Sequence, residues 1–151
     1  MAGLLEGKKG LILGVANKRS IAWSIAQSAA REGAQLAFSY QGDRLKENVE
    51  ELAATLLGSI VLPCDVTQED QVVSLFKKLD EAWGGLDFMA HCVAYAKAED
   101  IAGQYLTTKK EGFDVALGVS AYSLTLLSQH AAPLMEKRGG GSILTLTYLG
   151  G

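Results

Sequence analysis

The sequence contains few cysteines, and this scarcity argues against two classes of protein. Cys64 and Cys92 are the only two among 151 residues, with neither a CxxC pair nor a Cys/His cluster. A scaffold stapled by disulfides needs more pairs, and a structural zinc site needs clustered ligands. We therefore expect two buried, reduced thiols and no metal site.

Long apolar runs and blocks of basic residues are also missing. No run reaches the roughly 18 apolar residues of a membrane-spanning helix, and Glu6, Lys8 and Lys9 make the N-terminus unlike a secretory signal. The formal net charge is −3 without a basic, aromatic-rich stretch, so neither nucleic acid nor a membrane is an expected partner. These features favour a reducing compartment, either the cytoplasm or an organelle stroma such as that of plastids.

The sequence does contain a repeated alternation of short apolar runs and helical periods. The predicted strands are residues 10–14, 37–40, 59–62, 86–92 and 142–147. The predicted helices start at Ser20, at Asp43, at a capping-box-like Thr67 and at Thr108, and the last runs for about 25 residues. With 48% hydrophobic residues, the chain can fill one core, and we expect a single domain over residues 1–151.

This alternation predicts an α/β fold, because each connection is long enough for a helical crossover between parallel strands. Pro63 helps to choose the strand order, since proline cannot donate to a ladder and belongs at an edge. The third strand lies at the edge in the order 3-2-1-4-5, whereas the flavodoxin-like order 2-1-3-4-5 makes it central. We therefore expect a doubly wound, Rossmann-type parallel sheet of order 3-2-1-4-5, truncated before the last strands of that fold.

The loop after the first strand leads directly onto a helix N-terminus. Unpaired amides and the positive end of the helix dipole favour a pyrophosphate there, with Gly14 allowing close approach and Ser20 offering a hydroxyl. The G-x-G-x-x-G fingerprint and the Walker lysine pattern are both absent. A glycine in a strand-to-helix turn needs no ligand, so a purely structural turn remains an alternative.

Other strand ends offer polar groups at the same edge. Gln41 can hydrogen-bond ribose or adenine, and Asp65 can accept the adenine amino group while Val66 covers the ring. Tyr148 follows the fifth strand and could hydrogen-bond a substrate carbonyl. Each has an ordinary alternative as a turn residue, a cap neighbour or a packed aromatic. His91 is interpreted as a packed structural histidine, because no nucleophile or metal-ligand pattern surrounds it.

Several segments of the chain recur together in one family of reductases. They are residues 14–17 with 20–22, residues 39–41, 64–66, 120–123 and 144–150. In this order they resemble the bacterial and plastid enoyl-acyl carrier protein reductases, a divergent branch of the short-chain dehydrogenase/reductase family. The resemblance extends through essentially the whole chain. It departs from the common family pattern after the fourth strand, where this chain has Cys92 and Tyr95.

The resemblance implies a cofactor, a substrate and the residues that hold them. The cofactor is NADH, with NADPH possible, and the substrate is an enoyl thioester on acyl carrier protein. The residues implied to contact the cofactor are Gly14, Ser20, Ile21, Gln41, Asp65, Val66 and Val93. Ala96 is implied to lie beside the acyl substrate, and Tyr148 matches the first of two active-site tyrosines. The absence of an Arg-Lys pair after Tyr40 favours NADH.

The resemblance also implies two active-site residues that are absent from these 151 residues. In the family, a second tyrosine follows the first and donates a hydrogen bond to the enolate oxygen that hydride transfer leaves, and a lysine further on binds the nicotinamide ribose and supports the charge. Neither occurs between Tyr148 and Gly151, so the 151-residue chain alone is expected to have little or no activity. A homotetramer is a further family expectation. Two alternatives remain open: a carbonyl reductase of the short-chain family, and a nucleotide-binding module without catalysis.

Overall fold

The computed structural model describes residues 3–149 and contains a five-stranded sheet in which all neighbouring strands are parallel. The strands are β1 Lys9–Leu13, β2 Gln35–Tyr40, β3 Ile60–Pro63, β4 Phe88–His91 and β5 Ser142–Thr145. Their order is β3-β2-β1-β4-β5, which confirms the predicted doubly wound α/β fold.

Pro63 occupies the position that its chemistry requires. It pairs with Tyr40 at the end of β3, and β3 is the edge strand beside β2. An edge strand has one side free of ladder bonds, so the missing N–H of proline can be tolerated there. The next residue resumes pairing, because the Cys64 N–H donates to the Tyr40 carbonyl at 2.9 Å. The third strand is therefore an edge strand, as Pro63 predicted.

Helices connect the strands and cover both faces of the sheet. They are α1 Ile21–Arg31, α2 Asp43–Ala53, α3 Glu69–Trp83, α4 Ala98–Ala102, α5 Lys110–Leu117 and α6 Ser123–Glu136. A single 3₁₀ turn, Tyr105–Thr107, precedes α5, and a π-helical turn, Gly118–Tyr122, separates α5 from α6. None of the helices within residues 3–149 is long and apolar enough to cross a membrane.

Three details of the predicted elements are wrong. The predicted continuous helix from Thr108 begins at Lys110 and is divided by the π turn. The capping boxes predicted at Thr67 and Thr108 do not form, because α3 and α5 start after Gln68 and Lys109 without a side-chain cap. The predicted fifth strand ends at Thr145, two residues early, and residues 146–149 have no regular structure.

Alternation of side chains along the strands divides the core into two layers. Ile12 and Phe38 pack under α1 and α2, where the Trp23 and Phe38 ring centroids lie 6.0 Å apart. Leu11 and Leu13 point to the other face and pack under α3 and α6. Successive strand residues face opposite sides of a sheet, so a continuous apolar strand serves both layers. Burying each large apolar side chain contributes about 2 kcal/mol.

The α1 side of β4 and β5 is open. A groove of about 880 Å³ runs between α1 and these strands, and its lining includes Ile25, Phe88, Ala90 and Leu144. Leu144 is 49% exposed there. This groove lies to one side of the strand ends that carry the candidate site, so it is a separate feature of the sheet.

Candidate functional site

A cleft lies at the carboxyl edge of the sheet, where the chain segments leaving β1, β2, β3 and β4 converge. This edge is where ligands bind in doubly wound sheets, beside the point at which the winding reverses. The cleft has a volume of about 250 Å³, and its lining residues are Gly14, Val15, Ala16, Ser39, Tyr40, Gln41, Leu45, Cys64, Val66, Cys92, Val93, Ala94, Tyr95 and Val119. Ligand pockets usually measure about 300–1,000 Å³, so this carboxyl-edge cleft can enclose part of a dinucleotide.

Gly14 forms the floor of the carboxyl-edge cleft between β1 and β4. Its φ angle is +101°, a conformation that side chains disfavour. A Cβ atom at this position would also collide with the backbone carbonyl of Cys92. The two strand exits can approach each other only because residue 14 has no side chain.

Ser20 organises the loop between β1 and α1. Its Oγ accepts hydrogen bonds from the backbone N–H groups of Ala16 at 3.0 Å and Asn17 at 3.1 Å. The Asn17 side chain in turn accepts from the Arg19 N–H at 2.8 Å. Ser20 is therefore a loop organiser instead of a side-chain cap for α1. A serine hydroxyl that accepts two hydrogen bonds still has one hydrogen to donate.

The first turn of α1 adds positive potential beside this loop. The first N–H groups of a helix have no partners within it, and they lie at the positive end of the helix dipole. Ile21 begins the helix, and its side chain is 63% exposed. The loop and the helix start together can bind an anion such as a phosphate.

Gln41 and Asp65 join the exits of β2 and β3. The Gln41 amide donates to Asp65 Oδ2 at 2.9 Å, and Asp65 Oδ1 accepts from the backbone N–H and the hydroxyl of Thr67 at 2.9 and 2.7 Å. Burial alone would raise the pKa of Asp65, but the hydrogen bonds from Thr67 and Gln41 lower it below its usual value. This edge of the cleft therefore carries a fixed carboxylate.

His91 lies at the end of β4 and is 1% exposed. Its Nε2 lies 2.8 Å from Ser123 Oγ, and its Nδ1 lies 3.1 Å from Thr145 Oγ1. Because the Ser123 hydroxyl donates to the Val119 carbonyl at 2.6 Å, Ser123 accepts from a protonated Nε2, and Nδ1 accepts from Thr145. Burial lowers the pKa of His91, which favours the neutral ring. His91 is therefore packed and hydrogen-bonded, as the sequence predicted.

The structure brings most of the predicted cofactor residues to one place. Gly14, Gln41, Val66 and Val93 line the carboxyl-edge cleft, and Asp65 is hydrogen-bonded to Gln41 at its margin. Ser20 and Ile21 lie at the start of α1, and Ile21 also borders the separate groove beside β4.

The predicted substrate residue Ala96 and the predicted catalytic residue Tyr148 do not line this cleft. Ala96 is half-buried and follows the cleft-lining Tyr95, and Tyr148 is 89% exposed after the end of β5. The segment of residues 144–150 on which the resemblance partly depends ends at Gly150, which lies outside the described residues.

Sequence reasoning missed several residues of the cleft. Leu45 reaches it from α2, and Val119 reaches it from the π turn. Ser120 also binds Tyr95, which lines the cleft. The only sequence signal for this region was the resemblance of residues 120–123, which gave no role to their hydroxyl groups.

Comparison with known proteins identifies relatives across almost the whole chain. A family model described as enoyl-(acyl carrier protein) reductase matches residues 14–151. The NADH-dependent enoyl-[acyl-carrier-protein] reductase FabI of Bacillus subtilis is 49% identical over 149 residues, covering 97% of this chain and 57% of the relative. The corresponding protein of Aquifex aeolicus is 48% identical, covering 98% of this chain and 54% of the relative. The chain thus spans a little over half the length of these relatives.

Solved structures show the same similarity. The enoyl-acyl carrier protein reductase of Bacillus cereus with NADP+ and indole naphthyridinone has a TM-score of 0.93 at 46% identity, covering 97% of this chain and 57% of that one. The reductase of Anaplasma phagocytophilum in complex with NAD has a TM-score of 0.92 at 42% identity, covering 98% and 56%. The resemblance predicted from the sequence is confirmed: the chain belongs to the enoyl-(acyl carrier protein) reductase family.

Proposed function

We propose that this chain forms the dinucleotide-binding part of an NADH-dependent enoyl-acyl carrier protein reductase. The observation that carries the proposal is the convergence of the first four strand exits on one cleft, with a helix N-terminus beside Gly14 and a fixed carboxylate at Asp65. The helix N-terminus suits the pyrophosphate of a dinucleotide, and the carboxylate suits the amino group of its adenine. The family membership and the NADH named in the relatives support the same function.

Each end of the carboxyl-edge cleft has a distinct role in this proposal. At the α1 end, the hydroxyl of Ser20 donates its free hydrogen to a phosphate oxygen, and the first turn of α1 stabilises the negative charge. At the β3 end, Asp65 accepts the adenine amino group and Val66 covers the ring face. Val93 contacts the nicotinamide ribose.

The substrate would meet residues outside the cleft. NADH, when bound, supplies the hydride for the β-carbon of the trans-2-enoyl thioester. Ala96 would lie beside the acyl chain, and the exposed phenol of Tyr148 would donate a hydrogen bond to the thioester carbonyl. The thioester would be presented by acyl carrier protein.

The carboxylate of Asp65 beside Gln41 favours NADH over NADPH. Asp43 and Arg44 carry opposite charges, whereas Asp65 adds a carboxylate whose pKa is lowered. The 2′-phosphate of NADPH would bring a second anion to this edge, and like charges placed together oppose binding. A basic residue at position 41 would remove that disadvantage.

Exposed apolar residues support the homo-oligomer expected from the family. Phe113, Leu117 and Tyr122 are each 47–58% exposed along α5 and the π turn. Apolar surface of this kind is often covered by another subunit. Sedimentation velocity on Phe113→Ser and Leu117→Ser variants would show a shift toward monomer if this surface forms the contact.

Calorimetric titration tests the proposed function. We expect the 151-residue protein to bind NADH about tenfold more tightly than NADPH, a difference of about 1.4 kcal/mol, and Gln41→Arg to reverse the preference. In an assay with NADH and crotonyl thioester, we expect little or no turnover by these residues alone. Absence of binding by a protein with the expected circular dichroism would overturn the proposal. Turnover comparable to that of a full-length relative would overturn the expectation of inactivity.

A further inference from the structure

The π turn between α5 and α6 places two serine hydroxyls against the chain that leaves β4. A π turn contains an extra residue compared with an α-helical turn, so it changes which side chains face the sheet. Ser120 lies inside the turn, and Ser123 is the first residue of α6. We define the β4 exit segment as Cys92–Tyr95. The contacts of the two serines fall at its two ends.

Ser120 holds the far end of the β4 exit segment. Its Oγ accepts the backbone N–H of Tyr95 at 3.0 Å and donates to the Tyr95 carbonyl at 3.2 Å. One hydroxyl thus binds both backbone polar groups of one residue. The contact involves only the backbone of Tyr95, whose side chain is 55% exposed.

Ser123 holds the near end of the same segment through His91. The Ser123 hydroxyl is fully buried, donates to the Val119 carbonyl in the π turn, and accepts from His91 at 2.8 Å. His91 also contacts Thr145 at 3.1 Å, which ties the end of β4 to β5. A buried polar network in which every member is satisfied rigidifies its surroundings.

Val93 lies midway between the two attachments, two residues after His91 and two before Tyr95. The π turn itself contributes Val119 to the lining of the carboxyl-edge cleft, next to the β4 exit segment. By contrast, the adenosine end of the cleft is held by Gln41, Asp65 and Thr67, on other elements. The serine contacts therefore act on one half of the cleft only.

We propose that Ser120 and Ser123 are positioning residues that hold the β4 exit segment ready for the nicotinamide half of the dinucleotide. This inference rests on the proposed function. Rigid surroundings reduce the entropy that a site loses on binding, so loosening this segment weakens contacts with the nicotinamide half. Contacts with the adenosine half and the pyrophosphate are unaffected.

Titration with two ligands tests the inference. NADH contains the nicotinamide half, whereas ADP keeps the adenosine and the two phosphates but lacks both the nicotinamide ring and its ribose. We expect Ser120→Ala to weaken NADH binding about fivefold, the loss of roughly one hydrogen bond, and to reduce the fluorescence gain of bound NADH. ADP binding should change less than about twofold. Ser120→Thr keeps a hydroxyl and should restore NADH affinity, while Thr125→Ala removes an exposed hydroxyl of α6 as a matched control.

Each outcome of the titration distinguishes this inference from the proposed function. If the unmodified protein binds neither ligand, the proposed function fails, and the inference fails with it. If ADP binds as tightly as NADH, or if Ser120→Ala weakens both ligands equally, the nucleotide site stands and the inference is overturned. Ser123→Ala provides a second variant, and Ser120→Ala alone decides the test if the buried Ser123 proves necessary for folding.

Discussion

Gly14 combines an unusual backbone angle with a close approach of two strand exits. A side chain there would meet the positive φ of +101° and the Cys92 carbonyl together. Gly84 offers a control, because its φ of +67° is also positive but an added Cβ would meet nothing within 4 Å. The two glycines separate the effect of backbone strain from the effect of the collision.

We expect Gly14→Ala to lower the free energy of unfolding by at least about 2 kcal/mol and to abolish NADH binding, because strain and collision add together. Gly84→Ala should lower the free energy of unfolding by about 1 kcal/mol, from strain alone, without affecting NADH binding. Urea denaturation and NADH titration measure both quantities. Equal losses of stability in the two variants would contradict the role of Gly14 as the contact between β1 and β4.

His91 makes stability fall as the pH drops below the ordinary pKa of histidine. Burial lowers its pKa in the folded protein, so the unfolded chain takes up a proton near the ordinary value of about 6.5 while the folded chain does not. The stability contributed by neutral His91 is therefore present above that value and is lost as the pH falls. We expect His91→Asn to flatten the change in urea midpoint between pH 7.0 and 5.5, whereas an unchanged slope would contradict the buried, neutral ring.

The sequence predicted best which residues meet at one edge of the sheet where strand position determines their location. Gly14, Gln41, Val66 and Val93 follow parallel strands, and the carboxyl ends of such strands share one edge. The role of Ser20 could not be predicted in this way, because its contacts with Ala16 and Asn17 depend on the loop conformation. The capping boxes predicted at Thr67 and Thr108 are wrong for the same reason, because a side-chain cap also depends on the local backbone conformation.

Among the elements, the π turn is the feature that the sequence pattern concealed. Apolar periodicity over residues 108–139 indicated one continuous helix, and a single extra residue changes that periodicity too little to be recognised. The strand order, in contrast, could be predicted, because Pro63 acts through a missing donor that only an edge strand tolerates.

Gly118 begins the π turn with ordinary helical angles, φ −58° and ψ −48°, and an added Cβ would meet nothing within 4 Å. Glycine is therefore not required there, and we expect Gly118→Ala to raise the free energy of unfolding by about 0.5–1 kcal/mol. Thermal unfolding by circular dichroism measures the change. Gly112→Ala is the contrasting variant, because its Cβ would collide with the Asp100 carboxylate and should destabilise the protein. Destabilisation by Gly118→Ala would mean that the π turn depends on glycine.

On the scale of the whole molecule, Asp87 joins three distant parts of the chain. Its carboxylate accepts the Lys9 N–H at 2.9 Å and forms ion pairs with Lys8 at 3.2 Å and Arg138 at 3.0 Å. The start of β1, the start of β4 and the residues after α6 thus meet at one buried carboxylate. This contact lies at the end of the sheet opposite the carboxyl-edge cleft.

We expect Asp87→Asn to lower the free energy of unfolding by about 1–2 kcal/mol at pH 7, with the exposure of Lys8 limiting the effect. Burial would raise the pKa of Asp87, but hydrogen bonds from Lys9, Arg138 and Lys8 lower it. The carboxylate therefore stabilises the fold above its ordinary pKa near 4, and this contribution is lost as the pH falls through its lower folded value.

The matched control for this prediction is Asp80→Asn, which removes the exposed ion pair between Asp80 and Lys137. Such pairs contribute about 0–1 kcal/mol, so a smaller loss is expected. Urea denaturation at pH 7 and pH 3 compares the two variants. The connecting role of Asp87 would be contradicted if Asp87→Asn lowered the free energy of unfolding no more than Asp80→Asn does. It would also be contradicted if the effect of Asp87→Asn were unchanged at pH 3.

The location of the nucleotide is tested most directly by nuclear magnetic resonance on the isotope-labelled 151-residue protein titrated with NADH. We expect the amide signals of Gly14, Gln41, Val66 and Val93 to shift together and saturably, because these residues line one cleft. The amide of Leu144, which borders the separate groove, should not shift. Shifts centred on that groove, or no shifts in a folded protein, would contradict the assignment of the carboxyl-edge cleft as the dinucleotide site.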